Sequence, residues 1–121
     1  MGRAASVPPL TSNVEPHMDI QDTQAQNTYV EAVVSEAQAV VCSAHIPGFE
    51  TEFARRFATW RAANAASLAR GKDVMERAVA GGPDVQRFAS MNAQVLDSLP
   101  PDDRQRRCDE LLAQYLETNR S

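Results

Sequence analysis

The amino-acid sequence predicts an all-α protein, an up-down bundle of four helices that follows a disordered N-terminal tail. Apolar side chains recur at steps of three and four in four segments, and proline or glycine lies between successive segments. None of these segments has the strict alternation of a half-buried strand. A length of 121 residues with 43% hydrophobic side chains fits one globular domain. We expect the tail over residues 1–26 and the bundle over residues 27–119.

The predicted tail has three prolines among small polar side chains. It has few large apolar side chains that would offset the entropy lost on ordering. The alternative is a short partner-binding segment over residues 14–20, with Met18 and Ile20 as its anchors.

The first helix is predicted over residues 28–45. Thr28 and Glu31 have the spacing of a capping box. Five valines would also suit a strand, but the polar side chains fall on one helical face. Pro47 and Gly48 end the segment. The apolar stripe consists of Val30, Val33, Val34, Ala37, Val40, Val41 and Ala44.

The second helix, over residues 49–79, has the clearest pattern in the chain. Its stripe consists of Phe49, Phe53, Phe57, Trp60, Asn64, Leu68, Met75 and Val79. Gly71 costs about 1 kcal/mol relative to alanine inside a helix, so a break near residues 70–72 is the alternative to one long helix. The aromatic stripe is interpreted as core, with a ligand slot as the alternative.

The third and fourth helices are predicted over residues 84–98 and 101–118. Each begins after a proline, which is favoured in the first turn of a helix. The apolar face of the third helix consists of Val85, Phe88, Met91, Val95, Leu96 and Leu99. The fourth helix is expected to bury Cys108, Leu111, Leu112, Tyr115 and Leu116.

Cys42 and Cys108 are the two cysteines of the chain. In an up-down bundle the end of the first helix and the start of the fourth lie at the same pole, which allows the two thiols to meet. A bond would close a loop of about 67 residues and stabilise the fold by about 4 kcal/mol. We favour the disulfide because each cysteine lies on an apolar helical face. The alternative is two separately buried thiols in a cytosolic protein.

The charge distribution favours a basic protein partner over nucleic acid. The net charge is −4, and residues 1–52 carry seven acidic side chains and one arginine. The tightest basic cluster is Arg104, Arg106 and Arg107, and neighbouring acidic side chains would oppose phosphate binding. No apolar run reaches the roughly 18 residues that would cross a bilayer, so we predict no membrane insertion.

No pattern typical of catalysis or cofactor binding is found. The sequence has no glycine-rich phosphate loop, no helix with paired histidines and no dinucleotide fingerprint. Cys42 and His45 are three residues apart and would suit a metal ligand pair or an activated thiolate, but no third group accompanies them. A histidine in the last turn of a helix also stabilises that helix end. We therefore predict no enzyme activity, no catalytic residue, no cofactor and no metal.

Three features together resemble small, uncharacterised helical proteins exported by Gram-negative bacteria. These are Cys42 near the end of the first helix, the Phe-x-x-x-Phe-x-x-Trp-Arg-x-x-Asn run at residues 53–64, and the Leu-Pro-Pro-Asp-Asp-Arg-x-x-x-Cys run at residues 99–108. The resemblance implies a periplasmic or secreted protein, with its signal peptide removed and with a Cys42–Cys108 bond. Free cysteines would instead indicate the cytoplasm. No activity is implied.

We therefore expect a non-enzymatic exported protein, monomeric or weakly dimeric, that binds another protein in an envelope, inhibitor or immunity role. Glu50 and Glu52 are the candidate contacts to a basic partner. The alternative is a carrier of a small apolar ligand in a cavity between helices. Its expected lining is Phe53, Phe57, Trp60 and Phe88. Asn64 interrupts the aromatic stripe, and either a structural hydrogen bond or a ligand contact would satisfy it.

Overall fold

A computed structural model describes residues 20–78 and 85–120 of the chain. In these ranges it has five helices and no strand, which confirms the all-α prediction and corrects the predicted number of helices. The up-down order stays a prediction, and residues 1–19 of the predicted tail lie outside the described residues. The helices are α1 (Ile20–His45), α2 (Phe49–Ala63), α3 (Ala65–Ala78), α4 (Val85–Asp97) and α5 (Pro101–Arg120).

The central helix of the fold is α1, which packs against each of the other four helices. Its buried residues are all small and recur at alternating steps of three and four over most of the helix, in the pattern of a coiled-coil seam. They are Ala25, Ala32, Ser35, Ala39 and Cys42. Small side chains let neighbouring helices approach closely. The valines predicted to form the core stripe therefore lie beside this seam, and Val40 is 70% exposed.

Helix α1 begins at Ile20, eight residues before the predicted start. Residues 20–26 belong to the predicted tail, but they form two turns of helix against α3. Arg70 of α3 donates a hydrogen bond to Asp22, and Ala25 is 4% exposed. Tertiary contacts therefore order a segment whose own composition predicts little structure.

Gly71 is the point at which α3 crosses α1. A Cβ atom placed on Gly71 would lie 2.7 Å from Cβ of Tyr29 and closer still to the backbone carbonyl of Ala25. Real Cβ atoms do not approach other atoms so closely. The glycine predicted as a possible helix break is therefore an interior residue of α3, and its missing side chain permits the crossing.

Gly71→Ala is expected to lower the free energy of unfolding by about 1–3 kcal/mol, because the carbonyl of Ala25 cannot move out of the way. At an ordinary exposed helical position the same change raises stability by up to about 1 kcal/mol. Urea unfolding measures the difference, and Ser67→Ala, at an exposed position on the same helix, is the control. A Gly71→Ala variant more stable than the wild type would contradict the close crossing.

The predicted second helix is divided at Asn64, between α2 and α3. Asn64 has φ −115° and ψ 19°, outside the helical range, and its backbone N–H is shared between the carbonyls of Trp60 and Arg61. Its side-chain amide also donates to the Trp60 carbonyl at 2.9 Å. An asparagine side chain that competes for helix carbonyls favours a break at this position.

Only part of the apolar face predicted for α4 is buried, and Leu96 is buried as predicted. The buried residues of α4 are Ala89 and Leu96, whereas Phe88, Met91 and Val95 are 53%, 56% and 62% exposed. Ala89 and Leu96 have the spacing of one helical face, and so do Phe88, Met91 and Val95. The small side chain of Ala89 suits close packing against the seam of α1, which explains why this stripe faces inward. Among the described residues, no helix is long and apolar enough to cross a membrane.

Candidate functional site

A disulfide bond joins Cys42 of α1 to Cys108 of α5. Their Cα atoms are 5.8 Å apart, within the usual range for a disulfide, and both residues are completely buried. The bond joins α1 to α5 through two cysteines that are 66 positions apart in the sequence. Since the Cys42 sulfur is bonded to Cys108, it does not form the thiolate that a Cys42–His45 pair would need.

His45 takes part in a contact between helix ends. Its Nε2 lies 3.0 Å from a carboxylate oxygen of Asp97, the last residue of α4. Both side chains are substantially exposed, at 36% and 60%. The contact joins the C-terminal ends of α1 and α4. Within the described ranges, no three potential metal-ligating side chains come together.

The aromatic stripe predicted from the sequence forms a ladder along α2. Phe53 and Phe57 are stacked with centroids 4.9 Å apart, and Phe57 and Trp60 are stacked at 5.5 Å. The ring of Tyr115 from α5 meets these three rings edge-on, at 5.1–5.7 Å. Edge-to-face contacts of this kind are favourable between aromatic rings. The ladder is thus core between α2 and α5, as the sequence pattern favoured.

Tyr115 is completely buried, and its hydroxyl has a hydrogen-bond partner. It donates a hydrogen bond of 2.6 Å to the hydroxyl of Ser35, which is 3% exposed. Burial raises the pKa of Tyr115 well above its ordinary value, because the phenolate would lose its hydration. The helical pattern predicts Ser35 on the polar face of the first helix together with Glu31, Glu36 and Gln38, and this prediction is wrong for Ser35, which is buried against Tyr115.

Glu50 and Glu52, both predicted as contacts to a basic partner, have different surroundings. Glu52 accepts hydrogen bonds from Arg55 and Arg56, and these lower its pKa. Arg56 also donates to the carbonyl of Leu112 on α5 at 2.9 Å. Glu52 is therefore part of a polar link between α2 and α5, whereas Glu50 is exposed in the first turn of α2.

An open groove of about 510 Å³ lies between α1 and α2, and we call it the α1–α2 groove. It is formed mainly by small and apolar side chains, with Glu36, Glu50 and Arg61 as its charged residues. Its lining consists of Glu36, Ala39, Val40 and Ser43 of α1 and of Glu50, Phe53, Ala54, Phe57, Ala58 and Arg61 of α2. Sequence periodicity does not reveal this groove, because it depends on alanines brought together from two helices.

Arg61 forms one wall of the α1–α2 groove. Its guanidinium lies 3.9 Å from the Glu36 carboxylate and 5.7 Å from the centre of the Phe57 ring. Glu36 and Arg61 also line a second groove of about 640 Å³, which is formed by residues of α1, α2 and α3 and by Gln86 of α4. Tyr29, Lys72 and Gln86 make that second groove more polar.

The four side chains predicted to line a ligand cavity, Phe53, Phe57, Trp60 and Phe88, lie in different surroundings in the structure. Phe53 and Phe57 contribute to the α1–α2 groove, and Trp60 packs between Phe57 and Tyr115. Phe88 lies on the exposed face of α4 and is not among the residues that line the groove. The Asn64 amide binds the Trp60 carbonyl, so a structural hydrogen bond satisfies it.

Comparisons of the chain with protein-family models, with curated proteins and with solved structures find no match.

Proposed function

We propose that this chain is a non-enzymatic exported protein that binds another protein through the α1–α2 groove, in an envelope, inhibitor or immunity role. The observation that carries the proposal is the groove itself. Exposed Val40 and the exposed alanines Ala54 and Ala58 line it, and the buried residues Phe53 and Phe57 lie at its base. A continuous apolar surface of this kind marks an interaction site more often than isolated apolar residues do.

The shape of the groove suits an amphipathic helix of the partner. Two neighbouring helices with small side chains leave a furrow that larger side chains at helical spacing can fill. Val40 and Ala39 lie on one side of the furrow, and Ala54 and Ala58 lie one turn apart on the other. A helix with leucine-sized side chains at steps of three and four fits this arrangement.

The charge of the surroundings favours a basic partner. Helix α1 contains three carboxylates and neither lysine nor arginine, and the whole chain has a net charge of −4. Glu50 is exposed at the rim of the groove. An acidic surface increases the rate of encounter with basic partners. It decreases the rate of encounter with acidic competitors. Basic side chains beside the apolar face of the partner helix would therefore bind next to Glu50.

The disulfide supports the exported setting. Bonds of this kind form and persist in oxidising compartments and are rare in the cytosol. An up-down order, with the α2–α3 pair as one arm, would bring the end of α1 and the start of α5 to one pole. The Cys42–Cys108 bond is compatible with that arrangement.

A helical peptide with leucines on one face and lysines on its flanks is expected to bind the α1–α2 groove. Amide resonances of Val40 and Ala54 should shift on titration, because the peptide covers both. Glu50→Lys should slow association about threefold to tenfold at low salt, an effect that falls as salt is added. Val40→Ser should weaken binding roughly tenfold through lost apolar contact, with little change in the salt dependence.

Glu52→Gln is the matched control, two residues from Glu50 on the same helix. It should lower thermal stability, because Glu52 accepts hydrogen bonds from Arg55 and Arg56, but leave the association rate nearly unchanged. A second peptide with glutamates in place of lysines tests the charge requirement. Equal binding of both peptides would contradict the basic partner, and resonance shifts confined to residues outside the groove would contradict the site.

The second candidate is a carrier of a small apolar ligand, and the size of the groove favours it. A volume of about 510 Å³ lies within the range of small-molecule sites, roughly 300–1,000 Å³. Trp60 is stacked on Phe57, which lines the groove. A ligand bound in the groove should therefore change the fluorescence of Trp60. Unchanged emission with fatty acids and with aromatic hydrocarbons would count against this function.

A further inference from the structure

The α1–α2 groove and the second groove meet at the ion pair between Glu36 of α1 and Arg61 of α2. Both residues line both grooves. The guanidinium and the carboxylate are 3.9 Å apart, which is longer than a hydrogen bond, and the two side chains are 51% and 54% exposed. Ion pairs between exposed side chains contribute little stability. The boundary between the two grooves is therefore a weak contact that a bound partner can displace.

The lining of the two grooves is continuous on both sides of this ion pair. Along α1, the lining residues recur at steps of three and four from Tyr29 to Ser43. On the opposite wall the same spacing continues from Glu50 of α2 to Lys72 of α3, across the break at Asn64. The stretch of α1 from Tyr29 to Ser43 is about 21 Å long, or about four helical turns. The two grooves are thus sections of one surface, which we name the long furrow.

The two ends of the long furrow carry opposite charge. Glu50 is exposed at the end that belongs to the α1–α2 groove, and Lys72 is exposed at the far end of the second groove. Lys72 lies 3.8 Å from Glu76, but both side chains are more than half exposed and Glu76 is not among the residues that line the groove. A partner that is acidic at one end and basic at the other is therefore complementary to both ends.

An amphipathic helix with glutamates in its first turn and lysines in its last turn has this distribution of charge. The same distribution also stabilises the helix itself, because acidic side chains are favourable near the start of a helix and basic ones near its end. In the long furrow, its first turn would lie at Lys72 and its last turn at Glu50. Such a helix would run parallel to α1, since α1 runs from the Lys72 end of the furrow to the Glu50 end.

We propose that the long furrow binds one continuous amphipathic helix of the partner protein, about four turns long and parallel to α1. The middle of this helix covers the Glu36–Arg61 pair, where its own side chains replace the contact between the two residues. The inference rests on the proposed function of the α1–α2 groove. It extends that function, because it assigns the second groove to the same partner and gives the partner helix a length, a direction and a charge pattern.

Two peptides of different length separate this inference from the proposed function. The long peptide is a four-turn amphipathic helix with glutamates in its first turn and lysines in its last, and the short peptide keeps only its last two turns. Both carry a covalent staple, because short helices are otherwise unstable in water. The long peptide should bind at least tenfold more tightly. It should shift the amide resonances of Leu68 and Ala69 as well as those of Val40 and Ala54, whereas the short peptide should shift only the last two.

Two substitutions in the second groove test which residues hold the additional turns. Lys72→Glu should weaken binding of the long peptide about threefold to tenfold. Ala69→Trp fills the groove and should reduce the affinity for the long peptide to that for the short one. Neither substitution should change binding of the short peptide, which also checks that each variant is folded. Ser67→Trp, at an exposed position of α3 outside the groove lining, is the matched control and should bind both peptides as the wild type does.

The outcomes distinguish the long furrow from the α1–α2 groove alone. Equal affinity for the two peptides, with shifts confined to the α1–α2 groove, would overturn the inference and leave the proposed function standing. A long peptide unaffected by both Lys72→Glu and Ala69→Trp would also overturn the inference. If neither peptide shifts Val40 and Ala54, both the inference and the proposed function are wrong. A nitroxide at the lysine end of the long peptide should broaden the resonance of Val40 more than that of Leu68, and the reverse would contradict the assigned direction.

Discussion

Replacement of Cys42 and Cys108 together by alanine is expected to lower the free energy of unfolding by about 4 kcal/mol. The bond joins residues 66 positions apart, so its removal frees a long loop in the unfolded chain. Small domains have a total stability of about 5–15 kcal/mol. The variant should therefore be only marginally stable, with a melting temperature lower by roughly 20 °C.

Urea unfolding of the double variant, followed by Trp60 fluorescence, measures this loss. Reductant should destabilise the wild-type protein and leave the double variant unchanged, which separates loss of the bond from the change in side-chain volume. Intact-mass analysis after alkylation in denaturant checks the bond itself, and two blocked thiols are expected before reduction. A stability loss below about 1 kcal/mol would contradict the role assigned to the disulfide.

Tyr115→Ala is expected to lower the free energy of unfolding by about 3–5 kcal/mol. Tyr115 is completely buried and contacts three rings of the α2 ladder, so alanine leaves a cavity at the centre of the core. Tyr115→Phe keeps the ring and removes only the hydroxyl. It should cost about 1–2 kcal/mol, because the buried Ser35 hydroxyl loses its donor. Equal losses for both variants would contradict the packing role of the ring.

The pH dependence of stability gives a separate measure of the Tyr115 hydroxyl. Burial raises the pKa of Tyr115 in the folded protein, whereas in the unfolded chain it is about 10. The unfolded state therefore releases this proton first, and the stability due to Tyr115 is lost as pH rises above about 10. Tyr115→Phe should lose less stability over this range than the wild type does. Parallel pH profiles would contradict the burial of the hydroxyl.

Several features of the fold could be predicted from the sequence because they depend on local patterns. The aromatic residues of α2 follow helical spacing, and a helix contact with α5 is enough to bury them. Pro47, Gly48 and Pro100 separate helices at the predicted places. Gly48 has a φ of 83°, a conformation that glycine adopts without strain. The bond between Cys42 and Cys108 was also predicted, because each cysteine lies on an apolar helical face.

Other features of the fold depend on which helices pack against each other. The local sequence pattern of a helix does not show which helix will be its neighbour. Gly71 resembles a helix breaker until Ala25 of α1 lies against it. The first turns of α1 are polar and become helical through contacts such as Asp22 with Arg70. In α4, the stripe through Phe88 and the stripe through Ala89 have the same periodicity. The small-residue seam of α1 explains which of them is buried.

The candidate site was predicted only in part for the same reason. Three of the contact residues predicted from the sequence line the α1–α2 groove, namely Glu50, Phe53 and Phe57. Val40 was expected in the core and is exposed at the groove instead. Phe88 is not among the residues that line the groove. Composition alone does not separate Glu50 from Glu52, because the difference comes from the arginines around Glu52 and from the contact of Arg56 with α5.

The central claim is that the α1–α2 groove receives a partner protein, and site-specific photo-cross-linking in cells that produce the chain tests it most directly. A photoreactive residue at position 40 should give a cross-linked product with another protein, and Glu50→Lys should reduce its yield. The same residue at position 105, an exposed site on α5, is the control. The purified partner should then bind the wild type more tightly than Val40→Ser. Absence of a product at position 40, or equal yield at position 105, would contradict the account.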